Sequence, residues 1–215
     1  MKKMNLKRII SGVLLLSFCL CAVSCKRKKI DAFDHESLRT LFDDYGAEKT
    51  EDVDEFYKAF MKDDTVKGRW FASEDSSDAQ YLYDTVANRF NQHPDCHPTD
   101  VSMFYALKEE YSYLVVYLFT TKKEITAQKI YASMSLDLLE NDFEGTASSG
   151  EKDGYKYTTN FAEMDDDRFV NKGVYLKDNS FIYIQSYGKT EDAVDEYNKF
   201  IKKTGLILPE EAYSS

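Results

Sequence analysis

His93-Pro94-Asp95-Cys96-His97 is the densest chemistry in the chain. Imidazole and thiolate are natural ligands of Zn²⁺ and Cu, so His93, Cys96 and His97 are the candidate metal ligands. A tetrahedral site needs a fourth donor. No second Cys or His cluster supplies it, His35 is the one further histidine, and an Asp or Glu would have to complete the set. The first Cys of a c-type haem motif is missing. A Pro-rich surface loop with a partly buried Cys explains the same residues, so a metal site and a plain loop stand side by side.

Other chemistry is thinner. Asp165-Asp166-Asp167 lacks the alternating oxygen ligands, the glycine and the closing glutamate of an EF-hand, and reads as a solvated turn, as do Asp63-Asp64 and Asp43-Asp44. There is no G-x-S-x-G, no H-E-x-x-H, no phosphate-cradling glycine loop and no dinucleotide fingerprint. No cofactor is expected. With 16 Tyr, 14 Phe and one Trp, the chain has material for an aromatic binding face, for which Trp70, Tyr105, Tyr117, Tyr183 and Tyr187 are the candidates. At strand and inward helical positions the same rings are ordinary core.

The N-terminus is more specific. Lys2, Lys3, Lys7 and Arg8 precede an uncharged apolar run, Ile9–Val23. It falls short of the roughly 20 residues that cross a bilayer as a helix and reads as a secretion signal. Ala22-Val23-Ser24-Cys25 closes it. This stretch resembles the lipobox of bacterial lipoproteins. The resemblance implies cleavage before Cys25, a diacylglycerol thioether on its sulfur, and acylation of the new N-terminus. Ala22 departs from the commoner Leu. Two acyl chains give the stable anchoring that one does not. Lys26-Arg27-Lys28-Lys29 adds attraction to anionic headgroups, about 1 kcal/mol per residue near the surface. The alternatives are an uncleaved signal-anchor and a plain secreted protein.

The full chain of 215 residues carries 28 basic and 38 acidic residues, net −10. Without the leader 24 basic residues face 38 acidic ones, and without the tether tetrad 20 face 38, so an acidic body hangs on a basic tether. That balance excludes nucleic acid as partner, because phosphate contacts need clustered Lys and Arg. Headgroups would attract the tether and repel the body. After cleavage and lipidation Cys96 is the one free thiol, so the core must stabilise the body without disulfides.

The elements that must position all this follow from periodicity. Residues 1–24 are the leader, 25–33 the lipidated Cys and tether, 34–208 a single α+β domain, and 209–215 a polar tail. Helices are expected over Asp34–Tyr45, from a Thr50 cap with Val53, Phe56, Tyr57 and Phe60 inward, over Ser76–Phe90, from a Thr121-Lys122-Lys123-Glu124 capping box to Glu140, and from a Thr190 cap to Gly205. Strands are expected at Val66–Ala72, Met103–Leu107, Tyr113–Phe119, Tyr155–Phe161, Phe169–Leu176 and Phe181–Tyr187, with loops at 91–100 and 144–154. The expected architecture is a mainly antiparallel sheet covered by several helices. Ala79/Tyr83, Ala127/Tyr131 and Ala193/Tyr197 each lie on a helix after a strand, which suggests a repeated β-α unit.

The element order, and the run Val-Tyr-Leu-Lys-Asp-Asn-Ser-Phe-Ile-Tyr-Ile before an amphipathic helix and Gly, resembles a broad group of small lipoproteins of Gram-positive anaerobes, over about Lys67–Leu206. It carries no activity or site residues. The sequence therefore points to a lipid-anchored extracytoplasmic domain at the cell membrane, most simply a non-catalytic binding or interaction module. Its partners would be the membrane and a protein or envelope ligand. The rivals are a metal-dependent enzyme or metal-binding protein using His93, Cys96 and His97, and a purely structural envelope protein. The chain is small for a two-lobed solute-binding protein.

Overall fold

Two strands in the middle of the sequence, SYLVVYLFTT and SFIYIQSYG, carry apolar side chains at successive positions rather than at every second one. A strand of that kind is stable only where both of its faces are covered. The computed structural model, which describes residues 30–61, 68–87, 95–109, 112–140, 145–164, 168–188 and 191–208, places these two strands side by side at the centre of one sheet. In chain order the elements are α1 (His35–Asp44), β1 (Glu48–Lys49), α2 (Val53–Met61), β2 (Arg69–Ser73), α3 (Ser76–Ala87), β3 (Pro98–Glu109), β4 (Ser112–Thr121), α4 (Glu124–Glu140), β5 (Thr146–Lys152), β6 (Tyr155–Met164), β7 (Arg168–Lys177), β8 (Ser180–Gly188) and α5 (Glu191–Thr204).

The sheet order is β1-β2-β3-β4-β8-β7-β6-β5, and every pairing is antiparallel except β1 with β2. The fold is α+β, a mainly antiparallel sheet covered by helices. Val115, Tyr117 and Phe119 point to one face with Tyr105, Phe181 and Tyr183, beneath α2, α3 and α4. Leu114, Val116 and Leu118 point to the other with Phe104, Ile182 and Ile184, beneath α1, α5 and Leu206–Leu208.

The β-α units are present as β2–α3, β4–α4 and β8–α5. Ala79 and Ala127 are fully buried, and Tyr83 and Tyr197 lie in the core. The third unit differs from the others, because α5 covers the opposite face of the sheet.

Several local expectations need correction. Residues 144–154 were expected as a loop, but Thr146–Lys152 is an edge strand joined to β6 by Asp153-Gly154. Both turn residues have positive φ (50° and 83°), the twist that suits a two-residue hairpin. Thr121 does not cap α4. Its hydroxyl donates to the carbonyls of Lys123 and Asn179, and the helix begins three residues later. Thr50 is buried and does not cap α2; the Asp52 carboxylate accepts from the Glu55 amide instead (2.8 Å). β3 starts at Pro98, inside the expected loop. Asp34 caps α1 through the Ser37 amide (2.8 Å). Phe90, Asp63-Asp64, Asp165–Asp167, Thr190 and the tail lie outside the described residues, as do the side chains of Ala193 and Val194.

Candidate functional site

The Cys96 and His97 side chains point in different directions. Cys96 is 1% exposed and sits in the core between α3 and β3, where burial, with Asp95 and Asp84 adding negative charge, pushes its thiol up to about 12. A thiol held so far from ionisation is a poor nucleophile and a poor ligand. His97 is exposed, its Nδ1 3.0 Å from Gln80 Oε1 and its Nε2 3.8 Å from an Asp95 oxygen. His93 lies outside the described residues. Among the described residues, no group of three His, Cys, Asp or Glu is arranged to hold a metal ion.

His35, which the sequence offered only as a spare ligand, has a more defined setting. It opens α1 and reaches over the sheet, Nδ1 2.8 Å from Ser102 Oγ and Nε2 3.0 Å from Thr120 Oγ1, which itself meets Ser180 Oγ at 2.8 Å. Burial lowers its pKa to about 4, against the opposing pull of Asp100. One nitrogen donates and the other accepts, so a neutral ring is fully satisfied by two hydroxyls. Ser102 is completely buried, while His35 and Thr120 are half-buried, and with both ring nitrogens bonded the group reads as a structural clasp.

Four of the five aromatic candidates are core, and Tyr187 is half-buried. Trp70, Tyr105, Tyr117 and Tyr183 are 5% exposed or less, so they cannot form a binding platform. The Trp70 indole donates to Asp43 (2.9 Å), which assigns one of the acidic pairs a structural role. Tyr187 stacks on Tyr113 with ring centroids 5.4 Å apart. Lys172, under α4, has its pKa lowered by burial and partly restored by Asp137.

A cleft of about 200 Å³ opens among the described residues at the end of the sheet where residues 30–33 join the body. One wall is Asp31–Phe33, expected as tether but packed onto the domain, with Ala32 only 2% exposed. The others come from the β5–β6 turn, the end of β7 and the C-terminal end of α5, through Asp153, Tyr155, Lys177 and Leu206. Lys177 Nζ lies 3.3 Å from Asp31 Oδ2 and 5.7 Å from the Phe33 ring centre, and Phe33 meets Tyr155 at 6.0 Å. Below lies a fully buried layer in which the Tyr175 hydroxyl donates to the Ile207 carbonyl (3.1 Å) and stands 3.2 Å from that of Tyr197. Gly173 makes room for it, since a Cβ there would come within 2.6 Å of both hydroxyls.

The cleft thus joins a cation, two carboxylates, two aromatic rings and an aliphatic edge, a mixture suited to a small ligand with both charged and apolar parts. Its residues are scattered from 30 to 206, which is why no sequence motif announces it. Comparison of the chain with protein-family models, with curated proteins and with solved structures finds no match in any of the three.

Proposed function

We propose that the mature protein is a lipid-anchored, extracytoplasmic, non-catalytic binding domain, held by Cys25 at the membrane surface, with the entry cleft as its ligand site. The observation that carries this is the position of the cleft. Only four residues separate Cys25 from Ile30, five Cα steps that span at most about 18 Å of extended chain. Asp31 and Phe33 lie against Lys177 and Tyr155, which supports a reading in which the cleft and the turns at 153–154 and 178–179 would face the bilayer. The side chains with most chemical potential, Cys96 and His35, are engaged inside the fold. The cleft's partner would be a small polar envelope component presented at that surface.

Fractionation with lipid labelling tests the anchor. Wild-type protein is expected in the membrane fraction with a labelled lipid, and Cys25→Ser in the precursor or soluble pool. Unchanged, unlabelled membrane retention of Cys25→Ser would show a signal-anchor instead. Amide chemical shifts on adding soluble peptidoglycan fragments test the site. Changes confined to Phe33, Tyr155 and Lys177 are expected, and shifts elsewhere or none would sink the cleft reading for that ligand class.

A further inference from the structure

Helix α4 has apolar side chains on both sides. Ala127, Ile130, Met134 and Leu138 are buried against the sheet. On the opposite pole Ile125, Leu136 and Leu139 are 55%, 47% and 48% exposed, three of the four large hydrophobic side chains exposed among the described residues. Ile125, Ala132 and Leu139 are spaced by seven, and Leu136 follows Ala132 by four, so all four form one outward seam. A helix that is apolar all round is normally enclosed.

We propose that this seam is a homotypic contact, through which two copies pair on one membrane with α4 running parallel to α4. The local charge permits it. The body is strongly acidic, yet the exposed charges on α4 and its lead-in are Lys122, Lys123 and Lys129 against Glu124 and Glu140, so this face carries no excess of negative charge to drive copies apart. In a parallel pair Ile125, Ala132 and Leu139 each meet their own counterpart, with Leu136 packing at the flank. Glu124 then meets Lys129 of the second copy, five residues on, twice per pair. One Glu124 oxygen accepts from Gln128 Nε2 (2.7 Å), which leaves the carboxylate a second acceptor oxygen for that ammonium.

Orientation rests on the anchored reading. α4 begins beside the Asp178–Asn179 turn, where Thr121 is bonded to Asn179, so its N-terminus lies at the tethered end. With α4 standing upright on the bilayer, as the proposal has it, an antiparallel pair would raise one tethered end by the helix length, about 25 Å for 17 residues. That exceeds the tether's reach of about 18 Å. A single helix face offers less than the roughly 800 Å² per partner of a standard interface. Co-anchoring supplies the effective concentration that such a small contact needs.

Disulfide trapping in membranes of cells making the full chain tests this. Ile125→Cys, Ala132→Cys and Leu139→Cys are each expected to give a covalent dimer with itself. Adding Leu136→Glu should abolish it, and Lys199→Cys on α5 should give none. Dimers formed when Ile125→Cys and Leu139→Cys are co-expressed but by neither with itself would mean antiparallel pairing and overturn the proposal. Membrane-bound protein without dimers, or with equal trapping at Lys199→Cys, would overturn it too. Fractionation of the same samples separates the two failures: loss of membrane binding refutes the anchor and with it the parallel orientation, whereas membrane-bound monomer refutes the pairing alone.

Discussion

Acidification should destabilise the domain through His35, well before its carboxylates are protonated. In the folded state the ring titrates at about 4 because it is removed from water between Ser102 and Thr120. In the unfolded chain a histidine titrates at about 6.5. Between these values the unfolded state holds one proton more than the folded state, so stability rises with pH by about 1.4 kcal/mol per unit. The stability is fully present above pH 6.5 and is lost as pH falls toward 4. From pH 7.5 to 5.0 the loss due to this one group is about 2 kcal/mol, set against a typical total of about 5–15 kcal/mol.

The assay is urea unfolding of the leaderless chain at pH 7.5, 6.5, 5.5 and 5.0, beside His35→Gln. Glutamine keeps a donor and an acceptor for the two hydroxyls but does not titrate in this range. Stopping at pH 5.0 limits the carboxylate contribution; Asp34, the nearest acid in sequence, is held below the usual carboxylate range by its hydrogen bonds to Ser37. The wild type should lose about 2 kcal/mol more than the variant over the interval. Parallel stability curves, or a His35 ring resonance titrating near 6.5, would refute the reasoning, because they would mean that the folded ring accepts a proton without cost.

Gly173→Ala should cost about 1–3 kcal/mol in denaturant unfolding, since its methyl meets two buried, hydrogen-bonded tyrosine hydroxyls and overpacks the layer under the cleft. Adding Tyr197→Phe removes one of those hydroxyls and should recover part of the loss; no recovery would place the strain elsewhere. Cys96 should resist a thiol reagent at pH 8 in the native chain and react once urea unfolds it, because burial pushes the thiol up to about 12. Fast native labelling would mean the loop at 95–97 opens readily.

Much of the fold is visible in the pattern of apolar residues. Leu38, Leu41 and Phe42 on α1, and Tyr197, Phe200 and Ile201 on α5, are buried as their spacing requires. The misses share one cause: the deciding partner lies far along the chain. β5 reads as a loop because its small residues pack little themselves; its place comes from β6, which it pairs from Thr146↔Phe161 to Lys152↔Tyr155. Thr121 looks like a cap until Asn179, 58 residues on, takes its hydroxyl. The His93–His97 cluster looks like a ligand set because spacing along the chain ignores direction, and Val101 and Tyr83 draw the intervening thiol into the core. Nothing in the sequence indicates the cleft, because Asp31, Asp153, Lys177 and Leu206 converge only through the sheet.

The cleft and the α4 seam lie on opposite faces of the sheet, and their relation follows from where the chain enters. Asp31 and Phe33 close the cleft against β7 and the C-terminal end of α5 on one face. The β7–β8 turn beside them bonds Thr121 and thereby sets the start of α4 on the other. On the proposed anchored reading, a short tether at the entry point would orient both surfaces together, with the cleft toward the bilayer and the seam on the domain's side. A longer tether would leave each surface intact and remove only their common alignment. Inserting a flexible segment between Lys29 and Ile30 should therefore preserve stability and cleft geometry while weakening homotypic trapping along α4. Unchanged trapping would show that the seam does not depend on the anchor for its concentration.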